Sequence, residues 1–338
     1  MKRKLYLSAL MLAAALAACS AGGSRQAPAA EHAAESALKV PAFCADSAYQ
    51  AVAAQVAMGP RVPGSDAAAV CAGWIADRLR AAGADTVMVQ TGTATRFDGL
   101  SLALRNVFAS FRPDAPRRIF LLAHYDTRPW ADMEADPVRR MQPIPGANDG
   151  ASGVAVLLEM ARVMAAAPPA VGVDMLFVDG EDSGYGELIA PEGMPEPADS
   201  WCLGTQMWAA SRPYAPGRAP AYAVLLDMVG GPDARFHREQ FSDAAAARVV
   251  DRIWAEAAAL GYADYFPNAR GGAVVDDHVY VNRLGIPAVD IIESFNPATG
   301  SFPPAWHTHA DDLPAIDPQS LARVGTTLLN LIYKEKTK

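Results

Sequence analysis

Three apolar runs in this chain stop on the same kinds of residue, and this limits the folds open to it. "IFLLAHYD" ends at His124 and Asp126, "MLFVDGED" at Glu181 and Asp182, and "AVLLDMVG" passes through Asp227. Each run is short, apolar throughout and bounded by turn residues, as buried strands are. Between them lie segments of helical period. "GASGVAVLLEMARVMAAAP" closes on a proline, "SDAAAARVVDRIWAEAAALG" opens on an expected Ser242 cap, and "LGTQMWAASR" reads as a short helix. Strands alternating with helices predict an α/β fold, with a largely parallel sheet covered on both faces. In such sheets ligands bind beyond the carboxyl ends of the strands. One acidic strand end is an ordinary solvated terminus. Three on one edge point to a polar site.

The flanking sequence fits this frame. Upstream, "SAYQAVAAQVAMG" and "SDAAAVCAGWIADRLRAAG" read as helices, the second with a Ser65 cap. "TVMVQT" and "RNVFASF" read as strands. Downstream, "IPAVDIIES" predicts a strand and "PQSLARVGTTLLNLIYK" a closing helix. Segments 129–146 and 183–200 are rich in Pro, Gly and acids and too long for simple connections, so they are expected to cover the site. No linker divides residues 38–338, which predicts one domain.

The first residues follow a different logic. "MKRK" precedes the apolar "LYLSALMLAAALAA", the pattern of an export signal. "LAAC", ending at Cys19, resembles a bacterial lipobox. This implies removal of residues 1–18 and acylation of Cys19, and so a lipoprotein anchored to a membrane and facing the periplasm. Residues 19–37 are small and polar and read as a flexible tether. Removing Lys2, Arg3 and Lys4 takes the formal charge from -8 to -11. With no basic cluster left, nucleic acid is not an expected partner. At 51% apolar and 20% charged residues the remainder is globular, and no later window is apolar enough to span a bilayer. Of the remaining cysteines, Cys44, Cys71 and Cys202, spacing favours Cys44 with Cys71 as a disulfide and leaves connectivity open.

The chemistry gathers further donors. "GANDGASG" adds Asp149 before a helix, and "AWHTHADD" adds His307 and His309 after the last strand. Carboxylates and imidazoles without clustered thiols suit a catalytic zinc with an open position. Their number exceeds the needs of one tetrahedral ion. Either a second ion is held, or some carboxylates serve as acid and base.

"AHYDTR", "GANDGASG", "DGEDSG", "LLDMVG" and "HT", in this order, resemble the zinc aminopeptidases of the co-catalytic type, over residues 45–335. That resemblance implies an α/β/α sandwich around a mixed sheet. "VVDDHVYVNRLGIPAVDIIESFNPATGSFPPAWHTHADD" narrows it, being similar to the animal-type glutaminyl cyclases and their bacterial counterparts. The likeness implies one zinc held by Asp149, Asp182 and His307. It implies Glu181 as the proton-transfer residue, Asp227 and Asp276 as supporting carboxylates, and Phe302 and Trp306 as walls of the substrate pocket. The substrates implied are peptides and proteins with N-terminal glutamine. Two departures stand out. Asp182 occupies a position where many animal cyclases have the longer Glu, and the pocket tryptophan of the animal cyclases has no clear equivalent, with Trp130 or Trp201 available in its place. The alternative is a two-zinc aminopeptidase, whose five ligand positions are matched by His124, Asp149, Asp227, Asp182 and His307, with His124 and Asp227 for the possible second ion. Asp276 in its "DDH" setting and Trp306 favour the cyclase. A non-catalytic binding module is the third reading, and the full donor set speaks against it.

Overall fold

The computed structural model describes residues 39–337. Residues 1–38, on which the expected export signal, the expected acylation of Cys19 and the expected tether fall, lie outside the described residues. Two helices open the fold, α1 (Ala45–Val56) and α2 (Asp66–Ala81). Ser65 caps α2 by accepting the Ala68 N–H. Then come β1 (Thr86–Thr95), β2 (Ser101–Phe111), β3 (Arg118–His124), the single turn α3 (Pro137–Arg140), α4 (Ala151–Ala166) and β4 (Gly172–Val178). The order ends with α5 (Leu203–Ala210), β5 (Ala223–Asp227), α6 (Gln240–Ala259), α7 (Asp277–Arg283), β6 (Ala288–Ile292) and α8 (Pro318–Tyr333). Among the described residues no helix is long and apolar enough to cross a membrane.

The six strands form one mixed sheet in the order β1-β2-β4-β3-β5-β6. β3, β4, β5 and β6 run parallel, while β2 lies antiparallel to β4 and β1 to β2. The central strands are buried on both faces because alternate residues feed two cores. Ile119, Leu121 and Ala123 of β3 join the larger core with α1, α2, α4, α6 and α8. Phe120 and Leu122 point the other way, to a smaller core with Trp208 of α5 and Val281 of α7. The result is a three-layer α/β/α sandwich.

Register sets the site edge. Leu122 pairs with Leu225 and His124 with Val178, so His124 and Asp227 stand level and residues 179–182 begin just beyond. α4 approaches this edge closely. A Cβ on Gly153 would lie 2.2 Å from the Leu226 carbonyl oxygen, so only glycine lets the helix reach β5.

Two expectations are corrected. The α6 cap is Glu239, which accepts the N–H groups of Phe241 and Ser242. Ser242 is already inside the helix, and its hydroxyl accepts the Asp290 N–H, tying α6 to β6. Cys44 and Cys71 form no disulfide: both thiols are free. Cys71 faces the core from α2, whereas Cys44 is exposed ahead of α1.

Candidate active site

Each donor but His307 is delivered by a strand end or a helix start. His124 ends β3 and Asp227 ends β5, while Glu181 and Asp182 follow β4. Asp149 immediately precedes Gly150, the residue before α4. It is not the cap of that helix: Gly150 occupies the cap position, and Ser152 bonds back to the Asn148 carbonyl. Gly150 has φ +101, and a Cβ there would lie 2.5 Å from the Asp126 carbonyl oxygen. Glycine therefore permits the turn that aims Asp149 inward. His307, also left-handed at φ +55, comes from the loop after β6.

Asp149 stands between the two imidazoles. Its Oδ1 is 3.2 Å from His124 Nε2, and its Oδ2 is 3.7 Å from His307 Nε2. His124 Nε2 also lies 3.1 Å from Asp227 Oδ1, and His307 Nε2 lies 3.3 Å from Asp182 Oδ1. Two donor groups result, one of Asp149, Asp182 and His307, the other of His124, Asp149 and Asp227. The ligand atoms of each group lie within 4.8 Å of one another.

All five residues are buried, and buried charge needs a partner. Burial and the nearby Asp149 push the Asp182 carboxyl upward. Burial likewise raises Asp227. Asp182 Oδ2 is buried without a hydrogen-bond partner. An orphaned carboxylate oxygen beside a second carboxylate and an imidazole is the donor set of a divalent cation such as zinc, and the residues present fit one.

Backbone and outer side chains hold this set in place. Asp126 accepts the N–H groups of Glu181 (3.1 Å) and Asp182 (3.2 Å). Asp311 does the same for Asn148 (2.7 Å) and Asp149 (3.0 Å). Two buried carboxylates thus each grip one ligand-bearing turn. Arg128 reaches Asp182 through its carbonyl (3.1 Å) and its Oδ1 (3.3 Å), tying the loop that carries this ligand to β3's end. Arg128 also holds Asp132 with two bonds of 2.9 and 2.7 Å. Asp132 Oδ1 in turn stands 2.8 Å from His307 Nδ1, paired in charge though off the line of a good hydrogen bond. A carboxylate behind a metal-facing imidazole is the usual outer support of such a ligand.

The open side is a cavity of about 260 Å³. Glu181, Asp227 and Asp276 line it together with Asp149, Asp182 and His307, and Phe302, Trp306, Trp201 and Val275 supply apolar wall. Phe302 packs on Trp306 at 4.5 Å between ring centroids, and His307 lies between Trp306 and Trp201. Trp201 therefore occupies the pocket. Trp130 packs instead on Phe97 and beneath Arg96. His309 points away and bonds Glu134 at 2.9 Å. Segment 129–146 brings Asp132 to His307, and segment 183–200 packs Tyr185 on Phe97.

Among the described residues Glu181 makes no ion pair. Burial, followed by repulsion from Asp276, raises its carboxyl well above the ordinary range. Asp276, the cap of α7, is pushed up to about 7 by burial and by Asp227. Two neighbouring acids that resist ionisation, beside donors suited to a cation, can take and return protons. Sequence reasoning missed Arg128, Asp132 and Asp311, and it left Cys202 as a candidate thiol only. Nothing local marks their part in the site, because the ligand-bearing residues they hold, Asp182, His307 and Asp149, are distant in the chain.

Comparison with known proteins agrees with this geometry. The family model for peptidase family M28 matches residues 106–332. Bovine glutaminyl-peptide cyclotransferase is 26% identical over 293 residues, which cover 79% of this chain and 76% of that protein. The crystal structure of a Tannerella forsythia glutaminyl cyclase superposes with a TM-score of 0.83 at 45% identity, covering 88% of this chain and all of that one (100%). A Zn-dependent exopeptidase from Parabacteroides distasonis superposes with a TM-score of 0.82, also at 45% identity, over 88% of this chain and 100% of its own.

Proposed function

The chain belongs to peptidase family M28, and within that family we propose that it is a zinc-dependent glutaminyl cyclase, converting N-terminal glutamine of peptides and proteins to pyroglutamate with release of ammonia. The observation that carries this reading is the trio Glu181, Asp227 and Asp276 lining one small cavity with aromatic walls. Such a cavity accepts one residue bent on itself, its neutral amine toward the acids and its side chain along the aromatics.

Asp149, Asp182 and His307 would hold the zinc. When bound there, zinc supplies Lewis-acid polarisation of the substrate's side-chain carbonyl. Phe302 and Trp306 hold the glutamine side chain folded toward its own amine, and ring closure is largely a matter of such positioning. Asp227 and Asp276 accept hydrogen bonds from the amine and fix its lone pair toward the carbonyl carbon. Glu181 takes a proton from the attacking nitrogen as the new C–N bond forms. It returns that proton to the side-chain nitrogen as the old C–N bond breaks, and ammonia leaves. Each proton removed is thus restored, and Glu181 ends the cycle unchanged.

The second reading is a two-zinc aminopeptidase, and the group His124, Asp149 and Asp227 is what favours it. One purified sample decides between them. With a glutamine-initiated dipeptide and an aminoacyl anilide assayed side by side, ammonia release without anilide cleavage and one zinc per chain support the cyclase. Anilide cleavage with two zincs per chain would replace it by the peptidase.

A further inference from the structure

Glu181 must hold its carboxylate at one angle to serve an amine and then a leaving nitrogen, yet among the described residues no Arg, Lys or His bonds to it. Among the described residues the side-chain group bonded to it is the Cys202 thiol, whose Sγ lies 3.3 Å from Glu181 Oε1. Cys202 is fully buried, and it sits at φ 59 and ψ 36, the left-handed region that favours glycine or asparagine. A cysteine kept there bears backbone strain that its side chain or its neighbours must offset. Its N–H donates to the Glu181 carbonyl at 3.0 Å, and the Leu203 N–H donates to Gly180 at the same distance of 3.0 Å. The start of α5 is thereby strapped to the turn that carries Glu181.

We propose that Cys202 is a positioning residue for Glu181, gripping its main chain through the amide and orienting its carboxylate through the thiol. This rests on the cyclase reading for its kinetic consequence, though not for the contact itself. A core cysteine ordinarily faces apolar atoms. Here Sγ groups with Glu181 and with Asp276, whose Oδ2 is buried without a partner, all within 4.8 Å. Burial and the adjoining Glu181 keep the thiol protonated, so it is a donor. The long C–S bond reaches the carboxylate, and a serine hydroxyl on the same Cβ would leave a wider gap.

The contact is read first by vibrational spectroscopy of the S–H stretch in the zinc-loaded protein, with the Cys202 band assigned by difference against Cys202→Ala. Glu181→Ala should shift that band to the position of a free thiol. An unmoved band overturns the proposal, whatever the enzyme's activity. Kinetics provide the second reading. Cys202→Ala should keep its zinc and its KM while kcat for ammonia release falls roughly ten- to hundredfold, the scale of a misplaced catalytic group. Cys202→Ser should recover part of the loss. Unchanged kcat, or loss of zinc from Cys202→Ala, overturns it. A wild-type protein inactive on glutamine peptides would sink the cyclase reading instead and leave the S–H test standing.

Discussion

Glu181 and Asp182 are adjacent in sequence and opposite in role. Asp182 points to His307 and Arg128, whereas Glu181 points to Cys202 and Asp276. The pairing on one strand end was legible in the sequence, since two acids closing a buried strand need a reason. So were Asp149, His307 and Asp227, each beside a local turn signal. The residues that hold them were not. Asp311 grips Asn148 and Asp149 from 163 and 162 positions away, and no local pattern announces such a bond. The division of labour gives a prediction. Glu181→Gln keeps size but loses the proton acceptor, so zinc content should hold while turnover drops by roughly two to four orders of magnitude. Asp182→Asn should lose zinc, because a neutral amide is a poor ligand. Metal analysis beside ammonia release checks both. Zinc loss from Glu181→Gln would contradict the assignment.

The elements that place these residues were read unevenly. The central strands and the long helices declared themselves through burial on both faces or through helical period. α7 did not, because "DHVYVNR" is too short to show a period. Its cap, Asp276, was reached only through resemblance. The α6 start was misplaced at Ser242 because a Ser/Asp pair imitates a cap, while the true cap, Glu239, has no sequence signature. Glu239 also joins elements: it accepts the Val274 N–H at 3.0 Å and lies 3.2 Å from His278 Nε2. Burial opposes its charge, but His278 and the backbone N–H groups overcome this and hold the carboxyl at about 2, below its ordinary 4.5. A depressed carboxyl contributes stability that is complete above 4.5 and is lost as pH falls toward 2. Glu239→Gln should therefore cost about 2 kcal/mol at neutral pH, with the gap to wild type closing in acid. Denaturant melts across that range check it, and a gap independent of pH would refute the account.

The whole molecule concentrates like charge where water is scarce. Asp149, Asp182 and Asp227 are buried around two imidazoles at one sheet edge. Metal binding and stability should accordingly be linked. Free zinc at a hundredfold excess over its Kd contributes about 2.7 kcal/mol, so chelation should lower Tm by roughly 4 °C. A melt indifferent to chelator would mean that the cluster does not need its cation. The α/β/α frame followed from the alternation of apolar runs with helical segments. The closing of the pocket by Trp201 did not, because it depends on how segment 183–200 returns to the sheet. The activity itself is tested most directly by the fate of one nitrogen. A glutamine-initiated dipeptide labelled at its side-chain amide nitrogen is incubated with the zinc-loaded protein, and the products are weighed by mass spectrometry. The account predicts labelled ammonia and a dipeptide lighter by one ammonia with its peptide bond intact. Free glutamine still carrying the label, beside the released second residue, would contradict it.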